Sequence, residues 1–109
     1  MPVYLIAEVR IADDAWVPGY VTHVHDIVHK HGGRYLSRSA NVTQIEGVKP
    51  DASVVGILQF PSMDALQGFI NDPAYAPYAA ARRSGSTSCF FAIDDTDVAG
   101  TVPYLPKAG

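Results

Sequence analysis

The chain has one cysteine, one tryptophan, no run of basic residues and no apolar stretch approaching 18 residues. Each scarcity excludes something. Cys89 cannot found an internal disulfide framework, and mid-strand it reads as a buried, inert thiol. Eight basic residues against eleven acidic ones give a net charge of −3, which speaks against nucleic acid as a partner. No stretch is long enough to span a membrane. The opening MPVYLIAEVRIADD lacks a basic n-region and meets acids by Asp13, so it does not read as a signal peptide, and a cytoplasmic protein is expected. GxGxxG, the P-loop, the GxSxG elbow and CxxC are all missing. Dinucleotides, nucleoside triphosphates, a hydrolase triad and structural zinc are therefore disfavoured, and no cofactor is expected.

What is present is a globular composition, 48% hydrophobic and 17% charged over 109 residues. That suffices for one domain burying roughly two-thirds of its unfolded surface. Val3 to Ile11 is β-branched and aromatic and reads as a strand. Asp13-Asp14 offers an N-cap, and a helix is expected to run to His31 and stop at Gly32-Gly33. Pro18 suits its first position, with Asp13 to Val17 as a separate short turn. At helical spacing, Trp16, Val17, Tyr20, Val21, Val24, Ile27, Val28 and His31 share one face. His25 and His29 fall on the opposite, polar face.

Arg34 to Glu46 reads as a long or broken strand with a bulge at Ser39-Ala40-Asn41. Ser53 to Phe60 reads as the next strand, ended by Pro61. Ser62 is placed to cap a short helix with Met63, Leu66, Phe69 and Ile70 inward. Asp72-Pro73 opens a turn, a third helix follows to Arg82-Arg83, Ser84-Gly85 breaks it, and Ser86 to Asp94 is the last strand. The order βαββαβ predicts an α+β, ferredoxin-like four-stranded antiparallel sheet over residues 1–94. Residues 95–109 form a tail expected to pack on its own or a partner subunit, with Tyr104 and Leu105 as the anchor.

Two helices cover one face of such a sheet. Here both registers of several strands are apolar: Val55 and Ile57 oppose Val54 and Leu58, and Phe91 and Ile93 oppose Phe90 and Ala92. An apolar second face of several hundred Å2 marks an interface, so a homodimer is expected.

Certain residues could carry chemistry. His31 ends the first helix on its apolar face, where a helix C-terminus and burial oppose one another, as suits a general acid or base. Tyr20 on the same face could polarise a carbonyl, and Trp16 could wall an aromatic ring. Arg38 and Arg82 could hold an anionic group bidentately, with Asp72 and Tyr75 at the rim. The competing reading for each is structural: a capping histidine, core aromatics, surface charges. His25 and His29 have the spacing of a two-ligand metal site, but HExxH is absent and solvated histidines are the plainer account, so no metal site is assigned.

The run His31-Gly32-Gly33-Arg34-Tyr35-Leu36-Ser37-Arg38 resembles the "GGRYL.RGG" signature of the bacterial domain-of-unknown-function 1330 family. Asn71-Asp72-Pro73-Ala74-Tyr75 is similar to its "SPEY" segment, Phe60-Pro61-Ser62 to its "FPS" junction, and Tyr20 to a tyrosine common in its first helix. The sequence departs from that pattern at Arg38-Ser39-Ala40, where glycines are lost. The resemblance, over about residues 3–94, implies a dimeric α+β barrel packed sheet to sheet. Its superfamily includes cofactor-free monooxygenases, isomerases and cyclases as well as haem enzymes. Residues and resemblance together suggest a cofactor-free enzyme doing proton transfer on a small carbonyl or aromatic metabolite, of isomerase, cyclase or lyase type. The alternative is a non-catalytic small-ligand-binding or stress-associated dimer.

Overall fold

β1 (Val3–Ile11) alternates in burial as it does in sequence: Val3, Leu5, Ala7 and Val9 are buried, and Tyr4, Ile6 and Glu8 are half-buried on the other side. The structure, a computed structural model, describes residues 1–108. Its remaining elements are α1 (Val17–Lys30), β2 (Arg34–Ser39), β3 (Val54–Phe60), α2 (Met63–Ile70), α3 (Ala76–Gly85) and β4 (Ser86–Asp94). The strands form one antiparallel sheet in the order β2-β3-β1-β4. This is the expected α+β, ferredoxin-like arrangement, with the segment between α2 and α3 adding a break in the second crossover. Among the described residues no helix is long and apolar enough to cross a membrane.

The helices cover one face of the sheet. Val24, Ile27 and Val28 of α1 join Val3, Leu5, Leu58, Phe60, Leu66, Phe69, Tyr75 and Ala79 in a single core. Local chemistry sets the boundaries. Ser62 caps α2, its Oγ accepting from the Ala65 N–H. Gly32 follows α1 at φ 76°, the left-handed conformation that ends a helix cheaply only at glycine. Asp13 does not cap α1. Its Oδ1 accepts from the Ala15 N–H in a separate turn, and α1 starts at Val17 with Pro18 in its first turn, where a missing N–H costs nothing.

Four expectations need correction. β2 ends at Ser39 and not at Glu46, because its neighbour ends: Ser39 pairs with Val55, and the Ser53 N–H beyond it turns to the Val9 carbonyl. The bulge lies at Leu36, between the Tyr35–Leu58 and Ser37–Ile57 pairs, and not at Ser39-Ala40-Asn41. Cys89 is exposed, since its register places it with Phe91 and Ile93 on the uncovered face. Of the residues expected inward, Met63, Ile70 and Val21 are 43%, 41% and 49% exposed: each lies at the flank of its helix, outside the stripe that meets the sheet.

The second face of the sheet carries Ile6, Val55, Ile57, Cys89, Phe91 and Ile93 together with Tyr4, Glu8 and Gln59, and none of the described helices covers it. Beyond β4, Asp97 caps a single 3-10 turn at Val98–Gly100, and its second carboxylate oxygen accepts from the Ala108 N–H. The tail therefore closes on itself. Tyr104 makes no packing contact with the body, and the radius of gyration, 15.6 Å, exceeds the roughly 13 Å of a compact chain this long. The last residue of the expected tail, Gly109, lies outside the described residues.

Candidate ligand cavity

Two small residues make room beneath the first half of α1. Ala7 of β1 and Gly56 of β3 are register partners on the helix-facing side, so the middle of the sheet is low there. Above them the helix presents Trp16, Tyr20 and Val24. The space between is a cavity of about 270 Å3, almost wholly apolar in its lining, with Leu58, Tyr35, Phe69 and Phe90 among its walls. It contains no Asp, Glu or His side chain.

The bulge at Leu36 furnishes one wall. In a regular strand Tyr35 and Arg38 would point to opposite faces. The extra residue shifts the alternation, so both line the cavity, and the Arg38 guanidinium sits 4.6 Å above the Tyr35 ring. Arg38 pairs across to Gly56, whose missing side chain leaves space for it.

Tyr20 reaches a hydroxyl partner: its Oη lies 2.8 Å from that of Tyr75, and Trp16 meets its ring edge-on at 5.3 Å. Burial first, then the Tyr75 phenol, hold the Tyr20 pKa far above its ordinary value. Tyr20 is therefore a protonated O–H at neutral pH, suited to donate and not to abstract a proton.

Arg82 forms the floor. Tyr75, Ala79 and Arg82 recur at helical spacing on the buried side of α3, so an arginine occupies a position that a hydrophobe would normally fill. It is 5% exposed, stacks at 4.2 Å on Phe90, and makes no ion pair among the described residues. Its Nε is buried without a hydrogen-bond partner. Beyond Arg82 and Phe90 opens a groove of about 630 Å3 between α2, α3 and β4, where Arg83, Ser86 and Ser88 add polar groups.

Trp16, Tyr20, Arg38 and Arg82 thus line one cavity, with Tyr75 bonded to it through Tyr20. His31 and Asp72 do not line it. They meet each other instead: His31 Nε2 is 2.7 Å from Asp72 Oδ2, and Lys30 Nζ is 3.1 Å from the same oxygen. Asp72 also accepts from the Ala74 N–H through its other oxygen. It is not partnered with Arg82 at a rim. The expected general acid/base and its carboxylate form a clasp joining the end of α1 to the α2–α3 turn. His25 and His29 lie side by side at 4.3 Å, and His25 stacks on Tyr35 at 5.5 Å, so it is part of the packing and not a solvated side chain. Sequence reasoning gave no role to Tyr35, Phe69 and Phe90. Phe90 carried a signal, since it alternates with Phe91 to the helix-facing side of β4.

The clasp gives a pH prediction. The His31 hydrogen bond, then the Ala74 N–H and Lys30, hold the Asp72 carboxyl well below the usual carboxylate range. A depressed folded-state pKa contributes stability that is complete above the unfolded value, 3.8, and is lost as pH falls toward the folded one. Thermal midpoints measured from pH 7 downward should fall below about pH 4. In Asp72→Asn the midpoint should be lower at pH 7, with a shallower acid limb. An unchanged acid limb would remove the clasp from the account.

Comparison with solved structures places this geometry in a known fold. A protein of unknown function from Rhodopseudomonas palustris, RPA0582, superposes with a TM-score of 0.73 at 17% identity, over 84% of this chain and 80% of that one. SnoaB, a cofactor-independent oxygenase from Streptomyces nogalater, gives 0.62 at 18% identity, over 85% and 91%. A protein described as an antibiotic biosynthesis monooxygenase gives 0.57 at 15% identity, over 86% and 97%. At these identities the likeness concerns the fold. A comparison with functionally curated proteins gives no match. Residues 2–96, from the start of β1 to just past the end of β4, match the domain-of-unknown-function family DUF1330, and the chain belongs to that family.

Proposed function

We propose that the protein is a homodimer that binds a compact carbonyl-bearing or aromatic metabolite in the cavity under α1 and promotes its enolisation without a cofactor. The observation that carries this reading is a half-open apolar cavity with a protonated tyrosine in its wall. Apolar walls with a few oriented polar groups are the usual form of a small-molecule site, and the volume, about 270 Å3, falls just below the roughly 300 Å3 at which such sites begin. With a ketone carbonyl at Tyr20, the O–H donates to the oxygen on which negative charge develops as an α-proton leaves. The lining holds no carboxylate or imidazole, so the proton departs to water, and the cavity acts by lowering the acidity barrier of the ligand. SnoaB, of the same fold, is described as a cofactor-independent oxygenase, which supports cofactor-free chemistry here.

The test uses 2-acetonaphthone. Its binding is read by quenching of Trp16, the single tryptophan and a wall of the cavity. Its enolisation is read by exchange of the acetyl protons in D2O. Wild type should bind it and accelerate exchange. Tyr20→Phe should weaken binding about tenfold, the equivalent of one hydrogen bond, and lose the acceleration. Binding with no accelerated exchange leaves the non-catalytic ligand-binding reading, which the lack of a cavity base favours. Absence of binding would end both.

A further inference from the structure

Arg82 is the one charged side chain in the core that no acid neutralises. Asp72, the other buried charged residue, is engaged by His31 and Lys30. A buried cation with no anionic partner is expensive, and a fold retains one where something outside the chain supplies the partner. Trp16 Nε1 is the other buried side-chain donor without an acceptor. It faces a different way: a Cβ built on Gly85 would lie 2.6 Å from it, so this edge of the indole is pressed on the backbone at the end of α3. Arg82 differs from it in carrying a charge and in lining both the cavity and the groove.

We infer that the ligand is a carboxylic acid, an apolar body in the cavity with its carboxylate on Arg82. Leu5, Phe69, Arg82 and Phe90 are common to the two spaces, so the guanidinium stands in the partition between them. A carboxylate there accepts from the terminal N–H groups of the guanidinium, in the fork geometry that arginine favours, and supplies the counter-charge that the described residues do not. Its far side is directed toward the groove with the Arg83 guanidinium and the Ser86 and Ser88 hydroxyls. The stack on Phe90 at 4.2 Å fixes the plane of the fork before a ligand arrives. Arg82 is then a specificity-determining residue that separates acids from neutral molecules of the same shape. This inference rests on the cavity-binding reading above and adds the charge of the ligand.

The experiment compares 2-naphthoate with 2-naphthamide, nearly isosteric and differing in charge, by Trp16 quenching and by calorimetry at pH 7. Wild type should bind the acid at least tenfold more tightly than the amide. Arg82→Met, which keeps the apolar stem, should lose the preference and bind acid and amide alike. Without ligand, Arg82→Met should melt at or above the wild-type temperature, because the unpaired charge is gone. Equal affinity of wild type for acid and amide would overturn the assignment while leaving cavity binding intact. So would retention of acid preference in Arg82→Met. Failure of wild type to bind either probe would overturn the cavity reading itself, and the inference with it. The wild-type comparison stands even if the variant does not fold.

Discussion

On the proposed dimer, wild type should sediment at twice 11.7 kDa at micromolar concentration and Phe91→Asp as a single 11.7 kDa species. Phe91 is 47% exposed and Ile93 57% exposed, on an edge strand, beside Ile6, Val55 and Ile57 of its neighbours. An exposed apolar patch of this kind, with Glu8 and Gln59 at its margins, is costly in water at about 25 cal/mol for each Å2. Packing against its own copy removes that cost on both sides at once. In a two-fold contact each substitution is present twice. Burying two unpaired carboxylates at the centre of an apolar contact costs about 3 kcal/mol or more, a weakening of at least about a hundredfold in Kd. The charge is accommodated in a free monomer, where the side chain meets solvent, so circular dichroism should show a folded chain. A wild-type monomer at these concentrations would refute the dimer. An unchanged mass for Phe91→Asp would move the contact to another surface.

The second large effect is expected at Gly33. Its backbone is in an ordinary conformation, so the constraint is space alone. A Cβ there would lie 2.6 Å from Cε1 and 2.9 Å from Cζ of Phe60, and 2.8 Å from Cγ1 of Val28. Both neighbours are completely buried, with no solvent to retreat into. Gly33→Ala should therefore destabilise by about 1–3 kcal/mol through overpacking. At this chain length that is a fall in thermal midpoint of roughly 5 °C for each kcal/mol, at fixed protein concentration. Gly47, at φ 81° with open space around it, gives the contrast: any cost of alanine there comes from the backbone and not from packing. A midpoint for Gly33→Ala within a degree of wild type would show that the start of β2 can shift to make room.

Much of the architecture is written locally. The alternation of β1, the Ser62 cap and the Gly32 stop are each decided within a few residues, and the structure has them where those residues place them. The end of β2 is decided elsewhere. Val42, Thr43 and Ile45 are β-branched like a strand's residues, but pairing requires a neighbour, and Ser39 is the last residue of β2 to find one, at Val55. The site divides in the same way. Trp16 and Tyr20 were legible because they share a helix face. His31 shares that face too, yet three turns of helix carry it past the cavity to Asp72, a distance an angular projection does not record. Arg38 reaches the cavity because of a bulge at Leu36 that no turn residue announces. Arg82 could have been singled out further: at a position in phase with Tyr75 and Ala79, a charge is out of place unless it is used.

The sheet order has a consequence for how the molecule is born. β1 lies inside the sheet and pairs with β4 across the length of the domain: Val3 is matched with Asp94. No local hairpin can stand in for that pairing, so closure spans almost the whole chain and should be slow relative to helix formation. Even with β3 paired along one edge and α1 laid over its face, β1 keeps its other edge open until β4 arrives.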